Sequence, residues 1–398
     1  MANTDPLLSL RPEFPVLERS NYLVSHSLGA MPRAAAAALE RYARDWGERG
    51  VRAWGEGWWE MPVTVGDEIA TLIGAGPGTV AMLPNVTLAQ AAIVSAVDFS
   101  PPRNRVVMTA LDFPSVRYLY DGLAQRLGAE VVVVPSDDGI GVSEERLLAA
   151  IDERTALVAV SWVLFRSAYI LDVERVVRHA HAVGALVALD AFHAVGVIPV
   201  DVQRLGVDFL TGGVLKWLCG GPGGCFLYVA PAVGEHRTPA LTGWQAHRRP
   251  FAFEAKMDYA SGAWRWLNGT PVVPALYAAR EGVRIVRQAG VEAIRAKSMR
   301  QTARLIEVAR SRGLEVRSPV DPARRGGTVA IHCPHAAAVT RYLLANDILV
   351  DYRPEAGIRV APHFYTKDEE LDEAVDAIVR ALELGLWRDF ETLALDIG

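Results

Sequence analysis

Six short apolar runs rich in β-branched residues narrow the possible folds more than any other feature of this chain. They are "VVMTAL" from Val106, "VVVVP" from Val131, "ALVAVSW" from Ala156, "ALVALD" from Ala185, "DFLTGG" from Asp208 and "CFLYVA" from Cys225. Runs apolar on both faces predict strands covered on both sides, as in a mainly parallel sheet. Helical patterns lie between them. "SEERLLAAIDE" opens on Ser143 with a Ser-x-x-Glu-like cap, and "DVERVVRHAHAVG" opens on Asp172, a second capping residue. Strand alternating with helix predicts an α/β doubly wound large domain.

A different pattern follows. "TPVVPALYAAREGVRIVRQAG" and "VEAIRAKSMRQTARLIEVARSRG" read as two long helices, each ending in glycine. After them come "GGTVAIHCP", a helix near "AAVTRYLLAND", a strand "ILVDYR", a strand "GIRVAP" and an amphipathic helix from Lys367. This predicts a smaller α+β C-terminal domain. The expected division places residues 1–273 in the N-terminal segment and large domain, and 274–398 in a connecting helix and the small domain. A chain of 398 residues suits that arrangement.

Composition narrows the function. The 51% hydrophobic and 22% charged residues are those of a folded globular chain. A net charge of −5 argues against general affinity for nucleic acid or anionic membranes. No apolar run is long enough to span a bilayer, and "MANTDPLLSLRPEF" has no basic segment leading into an apolar one, so no signal peptide is expected. The three cysteines, Cys219, Cys225 and Cys333, suit neither a disulfide framework nor a metal site; a reducing cytoplasm is the expected location.

In a parallel α/β sheet, ligands gather at the carboxyl ends of the strands. The polar residues there are Asp190 and then His193 after "ALVALD", Lys216 after "DFLTGGV", and Asp112, Phe113, Pro114 and Ser115 after "VVMTAL". Thr87, in "PNVTLAQ", enters a helix whose free N–H groups could hold an anion. Singly, each has a plain reading: a helix cap for Asp190 or Thr87, a core residue for His193 or Phe113, a snorkelling side chain for Lys216. The glycines of "GGPGG" match no phosphate-binding spacing.

Lys216 stands out because only four of the 41 basic residues are lysine. A lysine amine condenses with an aldehyde cofactor, most commonly pyridoxal 5'-phosphate (PLP). Arginine stays protonated and cannot do so. PLP also requires an acid beside its pyridine nitrogen, an aromatic face and phosphate donors. Asp190, Phe113, Thr87 and Ser115 are of those types. Residue types alone leave a nicotinamide or other nucleotide site in the same architecture open.

"LKWLCGGPGG", "DAFHAVGVIPVDV" and "ALTGWQAH" resemble the fold-type I, class V aminotransferase group, specifically its kynureninase-like branch. "YLVSHSLGAMP", "VRAWGEGWW" and "RVAPHFYT" extend the resemblance across nearly the whole chain. It implies a PLP enzyme acting on an α-amino acid, with Lys216 bonding the cofactor, Asp190 pairing with the pyridine nitrogen and His193 beside them. It implies Phe113 stacked on the ring, and Thr87, Leu88 and Ser115 around the phosphate. Trp244 and Thr270 match positions lent by the second subunit of a homodimer. Arg359 matches a carboxylate clamp, its plain alternative being an ion pair. His26, Ser27, Trp54 and Arg166 fall on the substrate side.

Several positions depart from that branch. Leu215 stands where relatives carry a tyrosine, Val116 where they carry an aspartate, and Val24, Ser25 and His26 where they carry Asp-Gly-Asn. Arg166 replaces a lysine or tyrosine. The expected activity is side-chain cleavage of an amino acid, at Cβ–Cγ or at the C–S bond of a cysteine conjugate, with a place in specialised metabolite biosynthesis. Transamination and decarboxylation-coupled deamination are the alternatives.

Overall fold

The computed structural model describes residues 5–391. In chain order its strands and α-helices are β1 (Asn21–Tyr22), α1 (Arg33–Arg49), α2 (Met61–Ala70), β2 (Val80–Leu83), α3 (Val86–Ser95), β3 (Arg105–Thr109), α4 (Pro114–Leu127) and β4 (Glu130–Val134). Then come α5 (Glu144–Ala150), β5 (Thr155–Ser161), α6 (Val173–Ala182), β6 (Leu186–Asp190), α7 (Val202–Leu205), β7 (Phe209–Gly213), β8 (Cys225–Val229) and α8 (Pro231–Gly234). The chain continues with α9 (Val273–Ala289), α10 (Val291–Ser311), β9 (Glu315–Val316), β10 (Val329–His332), α11 (Ala336–Ala345), β11 (Ile348–Leu349), β12 (Asp351–Arg353), β13 (Gly357–Val360) and α12 (Asp368–Glu383). Among the described residues, no helix is long and apolar enough to cross a membrane.

All six apolar runs are strands of one seven-stranded sheet, ordered β2-β8-β7-β6-β5-β3-β4. Every pairing is parallel except those of β8, which runs antiparallel to β2 and β7. All of β5, β7 and β8 is buried, and so is β6 apart from the half-buried Leu186, because an apolar layer covers each face of the sheet. Ser143 and Asp172 cap α5 and α6 as their sequences predict, each accepting a backbone N–H three residues on.

The smaller unit is a four-stranded antiparallel sheet, β12-β13-β10-β9, packed on α10, α11 and α12. Here the structure corrects one expectation. "ILVDYR" is not one strand: β11 pairs with β1 of the N-terminal segment, while β12 pairs with β13. The segment changes sheets at Val350, which carries the N-terminal strand to the small unit and buries Leu23 in its core. The apolar side of α9 joins the core of the large unit and packs on α1 and α2.

The parallel register aligns the ends that matter. Ser161 lies opposite Asp190, and Asp190 opposite Thr211, so the chain turns at the ends of β5, β6 and β7 open on the same side. The N-terminal segment closes over the turn after β7. Gly29 N–H donates to the Leu215 carbonyl (2.7 Å), and a Cβ on Gly29 would lie 2.1 Å from the Lys216 carbonyl oxygen. Only glycine allows this approach.

Candidate active site

A cavity of about 140 Å³ lies at the carboxyl ends of the strands. Lys216, on the turn after β7, reaches into it together with Asp190, His193 and Phe113. The Lys216 Nζ is 2.8 Å from His193 Nε2 and 5.5 Å from the centroid of the Phe113 ring. Phe192 lies on another side, 5.6 Å from the same nitrogen. Val86, Val163, Phe165 and Leu215 complete the apolar wall, and Ser161 is the one hydroxyl-bearing side chain among the lining residues.

Enclosure sets the electrostatics. Burial pushes the Lys216 amine well below the ordinary lysine value, only partly opposed by Asp190. Burial likewise raises the Asp190 carboxyl; the Phe192 N–H (2.9 Å) and Lys216 pull it back. His193 is held far below its usual range by burial, then by Lys216 and Arg359, so it faces the amine as a neutral ring. Asp112, also at a strand end, is structural. Its carboxylate accepts the backbone N–H of Thr109 (2.7 Å) and of Ser161 (2.6 Å), tying β3 to β5.

On the phosphate side, the structure overturns only the plain reading of Thr87 as a helix cap. Thr87 is exposed on the first turn of α3 and does not cap it; Asn85 does, accepting the Leu88 N–H at 3.1 Å. The cap therefore engages the Leu88 donor. Ser115 is half-buried on the first turn of α4, and Val116 is buried behind it. Both helices begin beside the cavity, through Val86 and Phe113.

The substrate-side residues do not line this cavity. Arg359, on β13, is 3% exposed and already paired. Its Nε and Nη2 donate to the two oxygens of Asp351 (2.8 and 2.5 Å), and its Nη1 donates to the Phe165 carbonyl (2.6 Å). The ion pair that is the plain alternative for this arginine thus exists. Arg359 sits behind the Phe165 segment, whose ring meets Phe113 edge-on at 5.4 Å. His26 is fully buried, with Nε2 3.0 Å from Asp351 Oδ1 and its ring 6.4 Å from that of His193. Ser27 is half-buried on the turn that follows.

Four other residues lie elsewhere. Arg166 ion-pairs with Glu355 and lies over the Phe165 ring. Trp54 belongs to an aromatic ladder with Trp58 and Trp59, which leads on to Trp244. Trp244 and Thr270 are exposed and take no part in lining the Lys216 cavity of their own chain. Sequence reading missed Asp351, Phe165, Phe192 and Asn85. Only Asn85 carried a local signal, as a capping-type residue just before α3; the others act through tertiary contacts.

The chain is similar to known proteins over nearly its whole length. The family model described as aminotransferase class-V matches residues 22–380. A kynureninase of Pseudomonas fluorescens is 31% identical, covering 96% of this chain and 94% of its own length. One from Burkholderia pseudomallei (strain 1106a) is 30% identical over 98% and 96%. Among solved structures, a cysteine desulfurase from Thermococcus onnurineus NA1 superposes with a TM-score of 0.83 at 20% identity, covering 94% of this chain and 98% of that one. A cystine C–S lyase in complex with cysteine persulfide gives 0.82 at 19%, covering 92% and 99%. The site suits the cofactor that such a family implies. An enclosed amine of lowered basicity, a buried carboxylate and aromatic faces are what PLP's aldehyde, pyridine nitrogen and ring require. The chain belongs to the aminotransferase class-V family and is a PLP-dependent enzyme.

Proposed function

We propose that this enzyme is a lyase that cleaves the side chain of an L-α-amino acid at Cβ, with a sulfur leaving group favoured over a carbon one. The observation that carries the reading is the cavity wall at Leu215. Expelling a thiolate needs little help from an acid, since thiols ionise near pH ~8.5. Hydrolytic Cβ–Cγ cleavage needs a proton donor close to the reacting carbonyl. Next to Lys216 in the chain the wall is Leu215, and Ser161 is the one hydroxyl in the lining, with His193 occupied by Lys216 and Asp190 assigned to the cofactor's pyridine nitrogen. The full-length likeness to kynureninases supports side-chain cleavage in general and keeps kynurenine-type hydrolysis as the second reading.

Bound PLP supplies an electron sink for the pair released when the Cα–H bond breaks. Lys216 would bond its aldehyde, Asp190 its pyridine nitrogen and Phe113 one ring face, with the first turns of α3 and α4 on the phosphate side. The chain's own groups do the rest. Once the substrate's own amine has displaced it, the Lys216 amine, its basicity lowered by burial, takes the Cα proton. Neutral His193 orients that amine through their 2.8 Å contact. The apolar wall limits water at the reacting carbon. Because the amine must be unprotonated, turnover rises with pH through a value below the ordinary lysine range and is lost as pH falls through it.

Trp244 and Thr270 would complete a neighbouring site from the second subunit of a homodimer. Their exposure, and that of Phe251 and Phe253 beside Trp244, supports this. A cofactor-loaded monomer by light scattering would exclude it.

The reaction is tested on a panel of S-substituted cysteines and kynurenine. Pyruvate with a free thiol is the expected outcome. Alanine with a carboxylic acid establishes the hydrolytic reading. A keto acid that retains the intact side chain, or released carbon dioxide, excludes both.

A further inference from the structure

Asp351 holds two side chains of the candidate substrate side in one arrangement. Its Oδ1 faces both His26 Nε2 (3.0 Å) and Arg359 Nε (2.8 Å), and its Oδ2 accepts Arg359 Nη2 (2.5 Å). Arg353 adds a longer contact to Oδ2 at 3.3 Å. The trio is almost sealed: His26 and Asp351 are 0% exposed and Arg359 is 3% exposed.

The protonation and donor pattern follow from the chemistry of the groups. Burial alone would raise the Asp351 carboxyl, but His26 and Arg359 outweigh it and keep it ionised. An ionised carboxylate only accepts, so His26 must present Nε2–H to it. Neutral His26 then has a bare Nδ1, and that atom is buried without a partner. Arginine has five N–H donors. Asp351 takes two and the Phe165 carbonyl one, leaving one on each terminal nitrogen. A pair of that kind suits one carboxylate, and the carbonyl of Phe165 already rests on the same end.

We propose that Asp351 is the positioning residue of the substrate carboxylate site, anchoring Arg359 by its side edge and fixing His26 as the Nε2–H tautomer. This rests on the reading of Arg359 as the carboxylate ligand. Without Asp351, Arg359 would be an uncompensated buried cation; it would leave for solvent and take the carboxylate donors with it.

The test measures binding to the holoenzyme of an amino acid and of the matching amine that lacks the carboxylate. Wild type prefers the amino acid. Arg359→Lys should erase most of that preference; if it does not, the carboxylate reading of Arg359 fails. Asp351→Asn should weaken amino-acid binding at least ~10-fold while leaving amine binding unchanged. If Arg359→Lys erases the preference but Asp351→Asn binds the amino acid as well as wild type or better, only the role of Asp351 fails. A measurement on the wild type guards against a variant that does not fold. Nitrogen-15 spectra of labelled histidine at neutral pH should show His26 protonated at Nε2 and bare at Nδ1. The opposite tautomer overturns the proposal.

Discussion

The Lys216 cavity and the Arg359 cluster are both buried polar centres, yet they are built in opposite ways. Around Lys216 the polar groups leave one another incompletely satisfied. An amine of lowered basicity meets a neutral imidazole, and a carboxyl accepts one backbone N–H. Around Arg359 the charges are matched inside the protein by Asp351. The first arrangement is costly without a ligand and so is suited to chemistry. The second holds together without one and so is suited to orientation. Each centre should therefore fail differently when disturbed.

The largest effect is expected at the first centre. Lys216→Ala should lower turnover by ~10³-fold or more while leaving the melting temperature almost unchanged, because a buried amine of lowered basicity contributes little to stability. A variant that unfolds instead would erase the contrast. The second centre should show the reverse. Arg359→Leu strands the Asp351 carboxylate in the interior and should cost about 3–5 kcal/mol of unfolding free energy, measured by denaturant titration. A loss under ~1 kcal/mol would mean that the pair is not buried in solution.

Acid should weaken the fold through its buried imidazoles. Burial lowers His26 to about 4 and His363 to about 3, with His193 also depressed. His363 sits directly behind the Lys216 turn, its Nε2 2.9 Å from the Trp217 carbonyl. Between pH ~6.5 and those values the unfolded chain binds protons that the folded one refuses, so stability falls as pH falls. His363→Asn should flatten that decline, as read from melting temperatures between pH ~7 and ~5. An unchanged slope would place the loss elsewhere.

Smaller changes probe the joints between elements. Gly29→Ala forces a methyl against the Lys216 carbonyl and should cost about 1–3 kcal/mol together with a shift in cofactor absorbance. Asn85→Ala removes the α3 cap and should cost ~1 kcal/mol, with weaker cofactor retention if α3 faces the phosphate. Equal cofactor retention in Asn85→Ala and wild type would separate α3 from the phosphate.

The same contrast explains what could be read from the residues alone. Lys216, Asp190, His193 and Phe113 follow recognisable strands, and parallel register brings strand ends together, so their meeting was foreseeable. The Arg359 cluster draws on positions 26, 165, 351 and 359, from three separate stretches of chain. No periodicity links them. "ILVDYR" looks like one strand because its pattern is continuous; its division at Val350 depends on β1, near the other end of the chain. Thr87 was the more conspicuous residue of "PNVTLAQ", but the extended backbone at Asn85 makes that residue the cap.

The chemistry depends above all on Lys216 being the residue that bonds the cofactor. Borohydride reduction of the coloured holoenzyme followed by peptide mapping is decisive, because only four lysines compete. The cofactor mass should be found on the peptide containing Lys216 and nowhere else. Trapping at Lys256, Lys297 or Lys367 would overturn the assignment.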